Sequence, residues 1–187
     1  MPADFYSLPS DLPIPVDDGA ADHLPGRAIP SLELPASDGT HVDLAEAAAG
    51  LLVLYCYPRT GRPDEPVPPG WDEIPGARGC TPQSCAFRDH HGELVKLGAR
   101  VHGLSAQPLK EQREFAARVG LPYGLLSDPA LELAAALGLP TFEFEGAPLY
   151  HRLTMVARAG RITKVFYPVF PPDRNAADVV AWLSLAV

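Results

Sequence analysis

The sequence predicts an α/β fold: a mixed central sheet flanked by helices and preceded by a β-hairpin. Three observations carry that prediction. Residues 51–57, LLVLYCY, form an unbroken apolar run stopped by Pro58, the pattern of a strand buried on both faces. From there to about residue 138, strand-like and helix-like segments alternate, which implies parallel strands joined by helical crossovers. Two late strand-like segments, 153–158 and 161–167, meet across Ala159-Gly160, and their hairpin makes the sheet mixed.

The elements follow in order. Residues 31–35 and 40–44 alternate polar and apolar around Ser37-Asp38-Gly39, a hairpin signal. An Ala-rich stretch at 44–49 ends at Gly50 and predicts a short helix. The buried strand at 51–57 is followed by residues 59–79, rich in Pro and Gly, and a loop this long inside a compact domain tends to be functional. Thr81-Pro82 offers an N-cap with proline at the first helical position, opening a helix that runs to about Leu97 and stops at Gly98. Residues 100–105 predict a second buried strand, 108–119 a helix ended by Gly120, 123–126 a short strand, and Ser127-Asp128-Pro129 the opening of a helix to Gly138. After the late hairpin, 173–187 forms a terminal amphipathic helix with Val179, Val180, Trp182 and Leu183 on its buried side. This is the layout of a thioredoxin-like fold with an N-terminal hairpin added. The organisation expected is an irregular leader at 1–23, one domain over 24–187, and a Pro/Gly-rich insertion at about 61–78.

Composition bounds the function. The 187 residues suit one domain with a real core. A net charge of −8 and a pI near 5.1 argue against a nucleic-acid or anionic-membrane partner. No apolar run approaches the roughly 18 residues that span a bilayer, and the first residues lack the pattern of a secretory signal, so a cytoplasmic location is expected. Proline is in excess, 22 residues or about 12% against a usual share of about 5%, and it clusters in the leader and the long loop.

The chemistry concentrates in GARGCTPQSCAFRD, residues 76–89, which holds two of the three cysteines. Cys80 sits at the predicted helix N-terminus, where free N–H groups and the helix dipole favour a thiolate. It is the residue expected to react. Cys85 lies inside the helix, and five residues of helix rise roughly 7.5 Å and turn the side chain about 140°. A disulfide wants Cα atoms within about 6.8 Å, so the pair can bond only after the first turn unwinds. One sulfur could be oxidised to a sulfenic acid and the other resolve it. Other readings are weighed beside this one. Cys85 could be a small core hydrophobe. A zinc site built from Cys80, Cys85 and His90 or His91 has the wrong spacing, and the Cys-x-x-Cys of thioredoxin-type oxidoreductases is absent. Cys56, in the apolar strand, reads as an inert buried thiol. His90 and His91 read as solvated surface histidines, Arg59 and Arg78 as solvated loop arginines, and Phe142, Phe144, Tyr150, Tyr167 and Phe170 as core or site rim. Gln83 either hydrogen-bonds near the thiol or simply occupies the first helical turn.

Cys80-Thr-Pro-Gln-Ser-Cys85 followed by Ala-Phe-Arg-Asp resembles the peroxiredoxins, in particular the bacterioferritin-comigratory (Q-type) subfamily. The resemblance runs from about Leu24 to the C-terminus. It includes Asp38-Gly39, Tyr57-Pro58, Gly103-Leu-Ser105, Leu126-Ser-Asp128 and His151-Arg152. It implies a thiol peroxidase in which Cys80 attacks the peroxide and Cys85 resolves the sulfenate as an intramolecular disulfide. A thioredoxin- or glutaredoxin-like dithiol would reduce that disulfide. No cofactor and no metal is implied, the chain being a monomer or homodimer, and Arg152 matches the arginine that contacts thiolate and peroxide. The family pattern Pro-x-x-x-Thr-x-x-Cys is broken here: Ala77 holds the threonine position and Glu73 the proline position. Pro58 and Thr60 are the expected replacements, with Pro58 shielding the thiolate and the Thr60 hydroxyl binding the peroxide from across the insertion. Two further functions stay open: a redox-responsive interaction module with little turnover, and a protein dithiol–disulfide oxidoreductase.

Overall fold

The structure, a computed structural model, describes residues 4–185. The first hairpin pairs β1 (Glu33–Pro35) with β2 (His41–Asp43), and Asp43 caps the short α1 (Leu44–Ala48) by accepting from the Glu46 N–H at 2.9 Å. Then come β3 (Leu51–Cys56), the long loop, α2 (Cys80–Asp89), α3 (His91–Lys96), β4 (Ala99–Ser105), α4 (Leu109–Val119), β5 (Leu125–Ser127) and α5 (Glu132–Leu137). A second hairpin, β6 (Thr141–Phe144) and β7 (Ala147–Tyr150), precedes β8 (Leu153–Arg158) and β9 (Arg161–Phe166). A 3-10 turn at Pro172–Arg174 leads into α6 (Asn175–Leu185).

The central sheet has the order β5-β4-β3-β8-β9. β3, β4 and β5 run parallel, as the helical crossovers require, and β8 and β9 close the other side antiparallel. β3 lies in the middle and every one of its residues is buried, which is why it reads as a continuous apolar run rather than an alternation. Its side chains still alternate between two cores. Leu52, Leu54 and Cys56 face a core with α1 and α5, while Val53 and Tyr55, with Tyr57 just after the strand, face one that also holds Cys80, Phe87, Phe115 and Val179. A third cluster joins Trp71 and Ala77 of the long loop to Leu149 of β7.

Three local features differ from the expected ones. The helix expected from Thr81 to Leu97 begins one residue earlier, at Cys80, and breaks at His90. Asp89-His90-His91-Gly92 is a run of poor helix formers, and the second piece restarts with Glu93 and Leu94 donating to the His90 carbonyl. The N-cap is Gly79, not Thr81. The β6–β7 hairpin was not anticipated: its two-residue turn is Glu145-Gly146, both at positive φ, and glutamate is a rare first residue for such a turn. Residues 4–27 contain turns but neither strand nor helix.

Candidate active site

Gly79 sets up the site. Its φ of +105° is open to glycine, and a Cβ there would come within 2.4 Å of Pro172 and 2.8 Å of Leu8. The missing side chain therefore lets the start of α2 dock against the turn before α6. Cys80 follows as the first helical residue and is 3% exposed. The chain reverses tightly enough that the Ala77 carbonyl lies 3.7 Å from Cys80 Sγ.

Arg152 immediately precedes β8, the strand beside β3, and this places its side chain against Cys80. The Arg152 Nη2 donates to Cys80 Sγ at 3.2 Å. The same guanidinium donates to the carbonyls of Gly76 (3.2 Å), Ala77 (3.0 Å) and Arg78 (3.2 Å), and its Nη1 donates to Gln83 Oε1. Arg152 is 3% exposed and, among the described residues, pairs with no carboxylate. A buried cation surrounded by neutral oxygens lacks a counter-ion, and the Cys80 sulfur is the group in contact that can become one. The planar fork is what permits one side chain to hold the loop 76–78 and the thiol together. Gln83 does act beside the thiol: it accepts from Arg152 and donates to Asn175 Oδ1 at 3.0 Å, which also accepts from Thr154 Oγ1 at 2.6 Å. Asn175, the first residue of α6, was not singled out in the sequence; a lone asparagine at a helix start carries no signal beyond capping.

A cleft of about 360 Å³ opens beside Cys80. It is walled by the long loop (Arg59, Thr60, Gly61, Pro66, Trp71), by Phe5 of the leader, and by Gln107 and Glu111 at the start of α4, with Arg78 and Thr81 flanking the thiol. Thr60, at the start of the long loop, lines the same cleft as Cys80. Its hydroxyl, however, donates to Gln107 Oε1 at 3.2 Å, and its N–H donates to the same oxygen at 2.9 Å. Pro58 is buried at the end of β3 but is not among the residues lining the cleft. Arg78 is not the solvated arginine expected. It is 8% exposed, pairs with Asp72 at 3.1 Å, donates to the Asp4 carbonyl and lies 5.0 Å from the Phe5 ring centroid. Arg59 packs over Trp71, which stands in the cleft wall, and over Phe144, which packs behind Trp71 in the third cluster, while Tyr150 is fully buried and Phe170 is exposed.

All three cysteines are free thiols. Cys85, five residues into α2, is half-buried, and burial pushes its thiol up, opposed by the nearby Arg88. Cys56 is completely buried on the opposite face of the sheet from Cys80, and burial raises its thiol far above the ordinary range.

A thioredoxin-like sheet with a buried arginine on a thiol at a helix start defines a cysteine-dependent redox protein. The comparisons narrow the class. The Redoxin family profile matches residues 24–181. The chain is 32% identical to the chloroplastic peroxiredoxin Q of Gentiana triflora over 97% of this chain and 79% of that protein. It is also 32% identical to that of Arabidopsis thaliana, over 86% and 67%. The crystal structure of peroxidoxin BcpB from Mycobacterium tuberculosis superposes with a TM-score of 0.70 at 27% identity, covering 88% of this chain and 98% of that one. The chain belongs to the redoxin family and, within it, to the Q-type peroxiredoxins, which makes it a cysteine-based thiol peroxidase. No helix among the described residues is long and apolar enough to cross a membrane.

Proposed function

We propose that Cys80 is the attacking thiol, that Arg152 activates it, and that Cys85 resolves the product. The observation that carries this reading is the 3.2 Å contact from a buried, carboxylate-free arginine to the Cys80 sulfur. The Cys80 thiolate attacks one oxygen of a hydroperoxide. The S–O bond forms as the O–O bond breaks, sulfur is oxidised by two electrons, and the departing oxygen takes a proton to leave as water or an alcohol. Arg152 stabilises the sulfur anion before attack and the charge that moves onto oxygen during it. Unwinding of the first turn of α2 then frees Cys85 from its packing. Its thiol attacks the sulfenic acid, a disulfide forms and water leaves. A thioredoxin-type dithiol reduces that disulfide and is itself oxidised. Cys56 cannot take the resolving role without crossing the sheet.

The cleft has room for more than hydrogen peroxide, and its Phe5, Pro66 and Trp71 walls suit the organic part of an alkyl hydroperoxide. A protein of similar fold, the bacterioferritin comigratory protein of Xanthomonas campestris, has alkyl peroxide reduction activity. Pro58, buried just after β3, leads into the loop that bears Thr60, and Thr60 lines the cleft together with Cys80. Three free cysteines suit a reducing, cytoplasmic compartment. The test is mass spectrometry after one equivalent of peroxide. The expected product is a Cys80–Cys85 disulfide, replaced in Cys85→Ser by a Cys80 sulfenate that dimedone traps. Free thiols at both positions, or a disulfide through Cys56, would overturn the assignment.

A further inference from the structure

Peroxide cleavage needs a donor for the oxygen that leaves, besides the arginine on the sulfur. The hydroxyl expected three residues before Cys80 is missing, because Ala77 stands there. Thr60 enters the cleft, but its proton is committed to Gln107 Oε1. The structure leaves one hydroxyl beside the thiol uncommitted. Thr81 Oγ1, on a residue that is 1% exposed and lines the cleft, has no hydrogen-bond partner among the described residues. Buried hydroxyls are almost always paired, and leaving one unpaired destabilises the fold, so an orphan at a reactive thiol points to a ligand atom. A second orphan supports this. Arg78 Nε is also buried without a partner, and Arg78 lines the same cleft. The third buried orphan, Arg118 Nη1, is on α4 and outside the lining.

We infer that the Thr81 hydroxyl donates to the departing oxygen of the peroxide, in place of the hydroxyl that Ala77 lacks, with Arg78 Nε as the second donor to the bound hydroperoxide. The inference rests on Cys80 being the attacking thiol. During attack, Thr81 Oγ1 holds the oxygen that gains the electron pair of the broken O–O bond until it is protonated. No group is oxidised except the sulfur.

The experiment compares Thr81→Val and Thr81→Ser with the wild-type chain. Cys80 oxidation by hydrogen peroxide is followed by stopped-flow fluorescence, with Trp71 in the cleft wall as reporter. Cys80 alkylation by iodoacetamide is measured in parallel, since it needs the thiolate but sends no charge onto a departing oxygen. Thr81→Val is expected to slow peroxide oxidation by about 10²–10³-fold, the scale of losing one oxyanion donor. Its alkylation rate should shift less than about twofold, because the thiolate is untouched. Thr81→Ser should restore the peroxide rate. A peroxide rate for Thr81→Val equal to wild type, or equal losses in both reactions, would overturn the inference. So would a loss in Thr60→Val with none in Thr81→Val. If Cys80→Ser retains turnover, the assignment of Cys80 falls and the role of Thr81 falls with it. If Cys80→Ser is inactive and Thr81→Val is not impaired, only Thr81 is wrong.

Discussion

Replacing Arg152 separates charge from geometry at this thiol. Arg152→Met removes the cation and all five donated bonds: three to carbonyls of residues 76–78, one to Gln83 and one to Cys80 Sγ. Loss of the donor on the reacting sulfur alone should slow Cys80 oxidation by about 10²–10³-fold, or about 2.7–4 kcal/mol of transition-state stabilisation. Arg152→Lys keeps the charge but gathers its donors at one point. It can reach the sulfur or the loop, not both, and should slow the reaction by about tenfold or more. Stability follows a different course. Orphaned buried acceptors cost about 1–3 kcal/mol each, yet removing a buried, carboxylate-free cation relieves its desolvation. The net loss in Arg152→Met should therefore fall below the roughly 4–12 kcal/mol that four orphaned acceptors would cost alone. Stopped-flow oxidation gives the rate, and guanidinium unfolding on the same samples gives the stability. If Arg152→Met is oxidised within about threefold of wild type while folded, the charge-on-sulfur argument is refuted.

Other outcomes follow from the same site. Gln83→Glu gives Arg152 a carboxylate, which competes with the Cys80 thiolate for the cation; iodoacetamide should alkylate Cys80 more slowly near neutral pH, and an unchanged rate would count against the counter-ion role. Gly79→Ala forces a Cβ into a φ of +105° and against Pro172, so it should cost at least about 1–3 kcal/mol in urea unfolding. Burial holds His102 below its ordinary value of 6.5, with its Nδ1–H donating to the Gly124 carbonyl at 2.8 Å. The unfolded chain therefore takes up that proton first, so stability is fully present above about pH 6.5 and falls as pH drops toward the folded value. His102→Gln should flatten that slope in denaturant melts, and an unchanged slope would assign the acid sensitivity elsewhere.

The fold was legible wherever burial imposes a pattern. The run at 51–57 had to be a central strand because nothing polar interrupts it, and the Ala159-Gly160 turn announced the β8–β9 hairpin. The β6–β7 hairpin was hidden because its turn is Glu145-Gly146, a pair with weak turn chemistry, and because its Phe142 and Phe144 pack on Trp71 of the long loop rather than in the two main cores. Within the site, Cys80 and Cys85 were visible from helix geometry, and Arg152 from resemblance. Gln107 and Asn175 were not, because each acts through a contact between segments far apart in sequence, and the orphaned Thr81 hydroxyl was not, because its lack of a partner exists only in the folded chain. Arg78 was misjudged for the same reason: its partners Asp4 and Phe5 come from the leader, some 70 residues away.

The strand that carries Cys56 has an analytical use. Because Cys56 faces away from Cys80 and is sealed in the other core, a molecule taken through oxidation should keep one thiol that peroxide does not touch. Every preparation then contains its own internal standard. Unfolding in the presence of an alkylating agent tags Cys56 in all molecules, and the tags at Cys80 and Cys85 can be counted against it. The redox state of the enzyme becomes a ratio within a single polypeptide, independent of how much protein was loaded.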